Sequence, residues 1–170
     1  MPMGERQVRV AVVNQHPSVA LGGSETQCAL IAAGLARRGH DVRYVAVGGA
    51  DVAAEEEAGV EVVAVDRSPR AAVAACTDRD VVYWRIARWG LRTATRELGA
   101  AGVPVVFAAS HVDDLRRIAP GRSARPPGPA RMLELLLGAA RSARSYGALR
   151  RVAAIVANNA DHLRLVPSGV

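Results

Sequence analysis

Six short apolar runs rich in valine recur along the chain, at residues 8–13, 41–47, 60–65, 80–84, 103–107 and 152–157. Each is shorter than an ordinary helix and is bounded by glycine, proline or polar residues, which marks it as a buried strand. Helical patterns separate them: 24–38, 51–58, 69–77, 91–101, a short one ending at 118, and 130–151. Strands that alternate with helices predict the α/β class, a Rossmann-like doubly wound parallel sheet of about six strands. At 170 residues the chain suits one domain with its own core. In such sheets ligands gather beyond the carboxyl ends of the strands. That edge collects the loops 14–23, 85–90 and 108–114 and the pair Asn158, Asn159.

The first of those loops ends in Gly22-Gly23 and runs into the longest helical pattern of the first half. Ser24 is the expected N-cap, and Gln27 three residues later completes a capping box. Cys28, Ile31, Ala32 and Leu35 form one apolar stripe at helical spacing. Arg37 and Arg38 complement the dipole at the far end, and Gly39 is the expected stop. Two residues without side chains therefore precede a helix N-terminus, where free N–H groups attract an anion. Turn chemistry alone accounts for the same Gly-Gly pair. The chain holds no G-x-G-x-x-G, and with no lysine it holds no phosphate loop of the G-x-x-x-x-G-K-[ST] type.

Charge is distributed unevenly. Residues 1–110 carry 12 Arg and 12 Asp or Glu, whereas residues 111–170 carry 10 Arg against Asp113, Asp114, Glu134 and Asp161. All 22 basic residues are arginine, so a compositional bias explains the excess as well as a binding surface does. No apolar run approaches the ~20 residues of a membrane span. Residues 1–9 lack the apolar core of a signal peptide, so a cytoplasmic chain is expected. Cys28 and Cys76 fall on small-residue faces of expected helices, where buried thiols are the simplest outcome. Four prolines and two glycines make 120–129 the clearest loop.

Several stretches, in order, resemble one family. Gly22-Gly23-Ser24-Glu25, followed by Leu35-Ala36-Arg37-Arg38-Gly39-His40-Asp41-Val42, is similar to the opening of family 4 glycosyltransferases of the GT-B fold. Asp80-Val81-Val82-Tyr83-Trp84-Arg85 resembles the family's D-V-V-Y-x-R strand, and Gly102-Val103-Pro104-Val105-Val106-Phe107 its G-x-P-x-V-F. The run from Tyr146-Gly147-Ala148-Leu149-Arg150-Arg151 to Ala157 resembles its Y-G-L-R-R-A-D-x-I-V segment. The resemblance covers about residues 8–160 and implies one half of a GT-B fold. Residues 1–165 would be the N-terminal, acceptor-side domain, and 166–170, similar to V-I-P-N-G-V, the start of the linker to a donor domain. The family's E-x-x-x-x-x-x-x-E glutamate pair belongs to that second domain and is not found here.

The implied function is transfer of a sugar from a nucleotide-sugar to a hydroxyl acceptor, with the second domain needed for catalysis. By this resemblance Gly22 and Gly23 bring backbone N–H groups to the donor diphosphate, whose charge grows as the glycosidic bond breaks. His111, or an acid such as Asp113, takes the catalytic position after the fifth strand. Asn14, His16, Glu25, Arg85 and Asn158 are expected along the acceptor cleft. From their own chemistry, Arg85 and Arg88 suit a phosphate or a sugar carboxylate, or are surface arginines. Glu25 suits the first helical turn, and Asp113 a helix cap. Trp84 and Trp89 are expected in the core or at a domain interface rather than as a sugar platform.

No metal is expected, because no D-x-D carboxylate pair stands at a strand end. No cofactor is expected either, the nucleotide-sugar being a substrate. Arg116, Arg117, Arg122 and Arg125, with Arg131 and neighbouring apolar residues, are candidates for docking on an anionic membrane surface. The alternative function is a non-catalytic half-domain that binds a sugar or a partner protein. A nicotinamide oxidoreductase lacks its glycine fingerprint here, and nucleic-acid binding rests on charge alone.

Overall fold

A computed structural model describes residues 6–17, 22–49, 59–109, 144 and 146–157. Within them six strands, β1 (Arg9–Asn14), β2 (Asp41–Val47), β3 (Val60–Val65), β4 (Val81–Trp84), β5 (Val105–Ala109) and β6 (Ala154–Ala157), form one sheet. Their order is β3-β2-β1-β4-β5-β6 and every pairing is parallel. The chain is thus an α/β, Rossmann-like protein. The helices include α1 (Gly23–Arg37), α2 (Pro69–Ala74) and α3 (Leu91–Ala100), with a short 3-10 turn at Leu149–Arg151 before β6.

The period of two along each strand builds two cores. Val10 and Val12 of β1 pack with Cys28 and Ala32 of α1, beside Tyr44 and Val62. Ala11 and Val13 face the other side, where Ala72, Val73, Leu91, Ala94 and Leu98 of α2 and α3 meet Trp84 and Phe107. Strand β1 is therefore apolar between Arg9 and Asn14, as burial on both faces requires. Small residues at Cys28 and Ala32 let α1 lie close to the sheet.

Helix ends follow local chemistry. Gly39, at φ +85°, closes α1: its N–H reaches Ala36 O and that of His40 reaches Leu35 O, the paired bonds of a Schellman motif. Gly102 repeats the arrangement after α3, with Gly102 N–H to Gly99 O and Val103 N–H to Leu98 O. Ser68 caps α2 through a hydroxyl that accepts from Ala71 N–H, and Pro69 occupies the first turn. The expected second strand and third strand match β2 and β3 residue for residue. The expected fifth strand moves on by two residues, because Val103 is bonded back into the end of α3 and Pro104 has no N–H to donate.

At the amino ends of the strands, ion pairs tie the loops together. Arg79, only 6% exposed, meets Asp41, Glu61 and Asp78 at 2.9, 3.4 and 3.1 Å. Arg43 bridges Glu61 and Asp78 at 2.7 and 2.8 Å and donates to Ala75 O. On the same edge Asp80 accepts from the Arg9 backbone N–H and guanidinium, at 2.9 and 2.7 Å. Arg9 holds the Asp80 carboxyl down at about 2. Because its folded value lies below the ordinary ~3.9, this group favours folding above that pH. The contribution disappears as pH falls from about 4 to about 2. An Asp80→Asn variant should therefore show a shallower loss of stability over that interval, measured by urea unfolding at a series of pH values.

Gly90, at φ +66°, begins α3, and a Cβ there would lie 3.1 Å from Trp84 and 3.2 Å from Pro69. Gly90→Ala should cost about 1–2 kcal/mol of unfolding free energy, from the left-handed backbone and from the crowding against Trp84.

Candidate functional site

The site lies at the carboxyl ends of β1 and β4, where the chain order of the sheet reverses direction. The connections from these adjacent strands depart to opposite faces, which opens a crevice between them. Alternation along the strands then decides which side chains line the α1 side. In β1 the last such residue is Asn14; along β4 and just past it they are Tyr83 and Arg85. Arg85 still belongs to the ladder through its N–H, which reaches Val13 O at 3.0 Å.

Asn14 is 2% exposed and directs Nδ2 to the Cys28 Sγ of α1 at 3.5 Å. Arg85, 4% exposed, spans from β4 to α1. Its guanidinium donates to Gln27 Oε1 at 2.6 Å and to the Tyr83 hydroxyl at 3.3 Å. Among the described residues Arg85 Nε is buried with no hydrogen-bond partner, as is Nη1 of half-buried Arg88. Between the two arginines Ala87 takes φ +44°, a conformation that costs a residue with a side chain on the order of 1 kcal/mol.

Burial pushes the Cys28 thiol up to about 11, against the opposing pull of the Arg85 charge and the Asn14 hydrogen bond. The thiol is consequently neutral at pH 7. His16 sits half-buried with its ring edge-on to Tyr44, centroids 5.5 Å apart. The Tyr44 hydroxyl in turn donates to Gln15 O at 2.6 Å and holds the loop after β1 against β2.

The entrance to α1 is organised differently from the expected capping box. Gly22, not Ser24, is the N-cap, and it offers no side-chain acceptor. The Ser24 hydroxyl donates to Glu25 Oε1 at 2.8 Å instead, and Gln27 is engaged by Arg85. Among the described residues no group accepts from the N–H of Gly23, Ser24 or Glu25. Glu25, 8% exposed, folds its carboxylate back over Gly22, so that a Cβ at Gly22 would overlap Oε2. Negative charge at this end of a helix is favoured by the dipole. Gly23, by contrast, faces open space.

The structure thus brings Asn14, Glu25 and Arg85 to one crevice with Gly22 and Gly23 at its rim. Tyr83 and Gln27, which complete the Arg85 cradle, carry no sequence signal that assigns them to it. Trp84 is a fully buried core residue that donates Nε1–H to Trp89 O. Cys76 is buried as expected, but in the turn after α2 rather than within the helix. His111, Asp113 and Asn158 lie outside the described residues, as do Arg116, Arg117, Arg122 and Arg125. Among the described residues no helix is long and apolar enough to cross a membrane. No family model matches the chain, and no curated protein matches it either.

The two glycines should respond differently to substitution. Gly23→Ala meets no atom and should leave stability within about 1 kcal/mol of the parent, or raise it, by chemical denaturation. Gly22→Ala should displace the Glu25 carboxylate while the helix persists, visible as altered Glu25 resonances with unchanged circular dichroism.

Proposed function

We propose that the chain is the N-terminal, acceptor-side domain of a GT-B glycosyltransferase that moves a sugar from a nucleotide-sugar to a hydroxyl. The observation that carries this reading is the entrance of α1. Its first N–H groups are uncapped and one flank, at Gly23, is free of side chains. It also opens onto the strand ends where such sheets hold ligands. In this reading those amides meet the donor diphosphate, which a second domain carries across the cleft. Fixed N–H dipoles lower the barrier because the departing diphosphate gathers charge as the bond to the sugar breaks. His111 or Asp113 faces the acceptor hydroxyl, and Asn14 and Arg85 form the floor of the acceptor side. The basic stretch from Arg116 to Arg125 then suits a surface of anionic lipid, which would present a lipid-linked acceptor.

A second reading, a non-catalytic half-domain, has one observation in its favour. The Glu25 carboxylate already stands at the helix end that a diphosphate would approach. A transfer screen of the full gene product against several nucleotide-sugars and hydroxyl acceptors separates the two. Sugar incorporation is expected, and Gly23→Val should reduce turnover by about 100-fold, the scale for loss of a preorganised anion donor. Its melting temperature should stay near that of the parent, since the site of the new side chain is open. Absence of transfer from every donor, or undiminished turnover in Gly23→Val, would overturn the assignment.

A further inference from the structure

The described residues include two buried arginines, and their surroundings differ completely. Arg79 at the amino edge of the sheet is matched by three carboxylates. Arg85 at the carboxyl edge makes no ion pair among the described residues. Among the described residues its two bonds go to neutral oxygens, and its Nε–H has no partner. A guanidinium does not lose its proton in proteins, so the charge stays in place. Cys28, close enough to feel its charge, keeps its proton at neutral pH. Buried arginine is rare unless paired, and an unpaired buried charge costs several kcal/mol. An incoming anion would balance such a charge.

We propose that Arg85, assisted by Arg88, binds an oxyanion group of the ligand, a phosphate or a carboxylate, at the carboxyl end of β4. Gln27 and Tyr83 hold the guanidinium from two sides and orient it before the ligand arrives. Arg88 follows three residues later, with a second unpartnered buried N–H. Both arginines present planar donors suited to two-pronged contact with such a group. That this ligand is the acceptor rests on the transferase reading; the binding itself does not.

The test is calorimetric titration and thermal melting of the full chain with inorganic phosphate and with glucuronate, at constant ionic strength. The tighter of the two probes identifies the oxyanion. Arg85→Met should weaken binding by about 10- to 100-fold, the scale of charge-assisted hydrogen bonds. It should not lower the melting temperature of the unliganded chain, because it removes a charge that has no counterion. General stabilisation by phosphate acts equally on the variant and cancels in the comparison.

Gln27→Glu is the second arm, and the exposed position makes it safe for folding. It places a carboxylate at the 2.6 Å contact with Arg85, so it should raise the melting temperature and weaken both probes. Failure of both probes to bind the parent chain would overturn the proposal. So would equal affinity in Arg85→Met. A melting temperature that falls in Arg85→Met, with binding unaltered in Gln27→Glu, would assign the guanidinium a structural role instead. None of these outcomes depends on whether sugar transfer is detected.

Discussion

Strand β1 is buried on both faces, and that constraint organises the molecule. A strand in this position tolerates no charge along its length, so Arg9 and Asn14 mark where it meets solvent and crevice respectively. Pairing with β2 on one side and β4 on the other leaves β1 no edge. Its two sets of side chains then recruit α1 to one face and α2 with α3 to the other. Because α1 leaves β1 on one face and α3 leaves β4 on the other, the two strands part company at their carboxyl ends. The crevice between Asn14 and Arg85 is a consequence of that divergence. Its polar residues sit where the core stops, not where a loop was added.

The two ends of the sheet handle charge in opposite ways. At the amino edge, Arg43 and Arg79 are enclosed by Asp41, Glu61 and Asp78, each carboxylate contributed by a strand end or the turn before β4. Partial exposure of those carboxylates limits the strength of each pair, but a shared network orders fewer side chains per contact than isolated pairs do. It locks β2, β3 and the end of α2 in register. At the carboxyl edge the described polar residues Asn14 and Arg85 are deeply buried, and Arg85 Nε has no partner among the described residues. Buried polar groups without partners are few in native proteins, and a bound ion, water or ligand is one of the ways in which they are satisfied.

Elements governed by neighbours in sequence could be read from the chain alone. Asp41–Val47 is a valine-rich run between Gly39 and Gly48, and Val60–Val65 one between Gly59 and the polar Asp66-Arg67-Ser68. Gly39 and Gly102 end helices because the left-handed conformation suits them, and Ser68-Pro69 starts one through its own hydroxyl and ring. Ser24 misled because its hydroxyl had two acceptable partners. A buried Glu25 carboxylate one residue away outcompeted the backbone N–H that a capping box requires. The contact between Arg85 and Gln27 joins residues 58 apart and depends on how far α1 overhangs β4. No spacing rule encodes that distance. Arg85 was visible as a candidate from its place after a strand, yet its isolation from carboxylates appears only once burial is known.

The adjacent glycines before α1 do unlike things, and the difference bears on how an anion approaches. Gly22 lacks a Cβ so that the Glu25 carboxylate can fold over the helix start, where the dipole holds it. An incoming anion on that flank meets like charge. A Cβ at Gly23 would meet nothing within 4 Å among the described residues. Glu25 therefore crowds the helix start at Gly22 and not at Gly23. Further along α1, Gln27 steadies Arg85, whose guanidinium makes no ion pair among the described residues. The two charges of the crevice thus stand apart, a carboxylate at the helix end and a guanidinium beside β4, and it is the guanidinium side that the proposed oxyanion would enter.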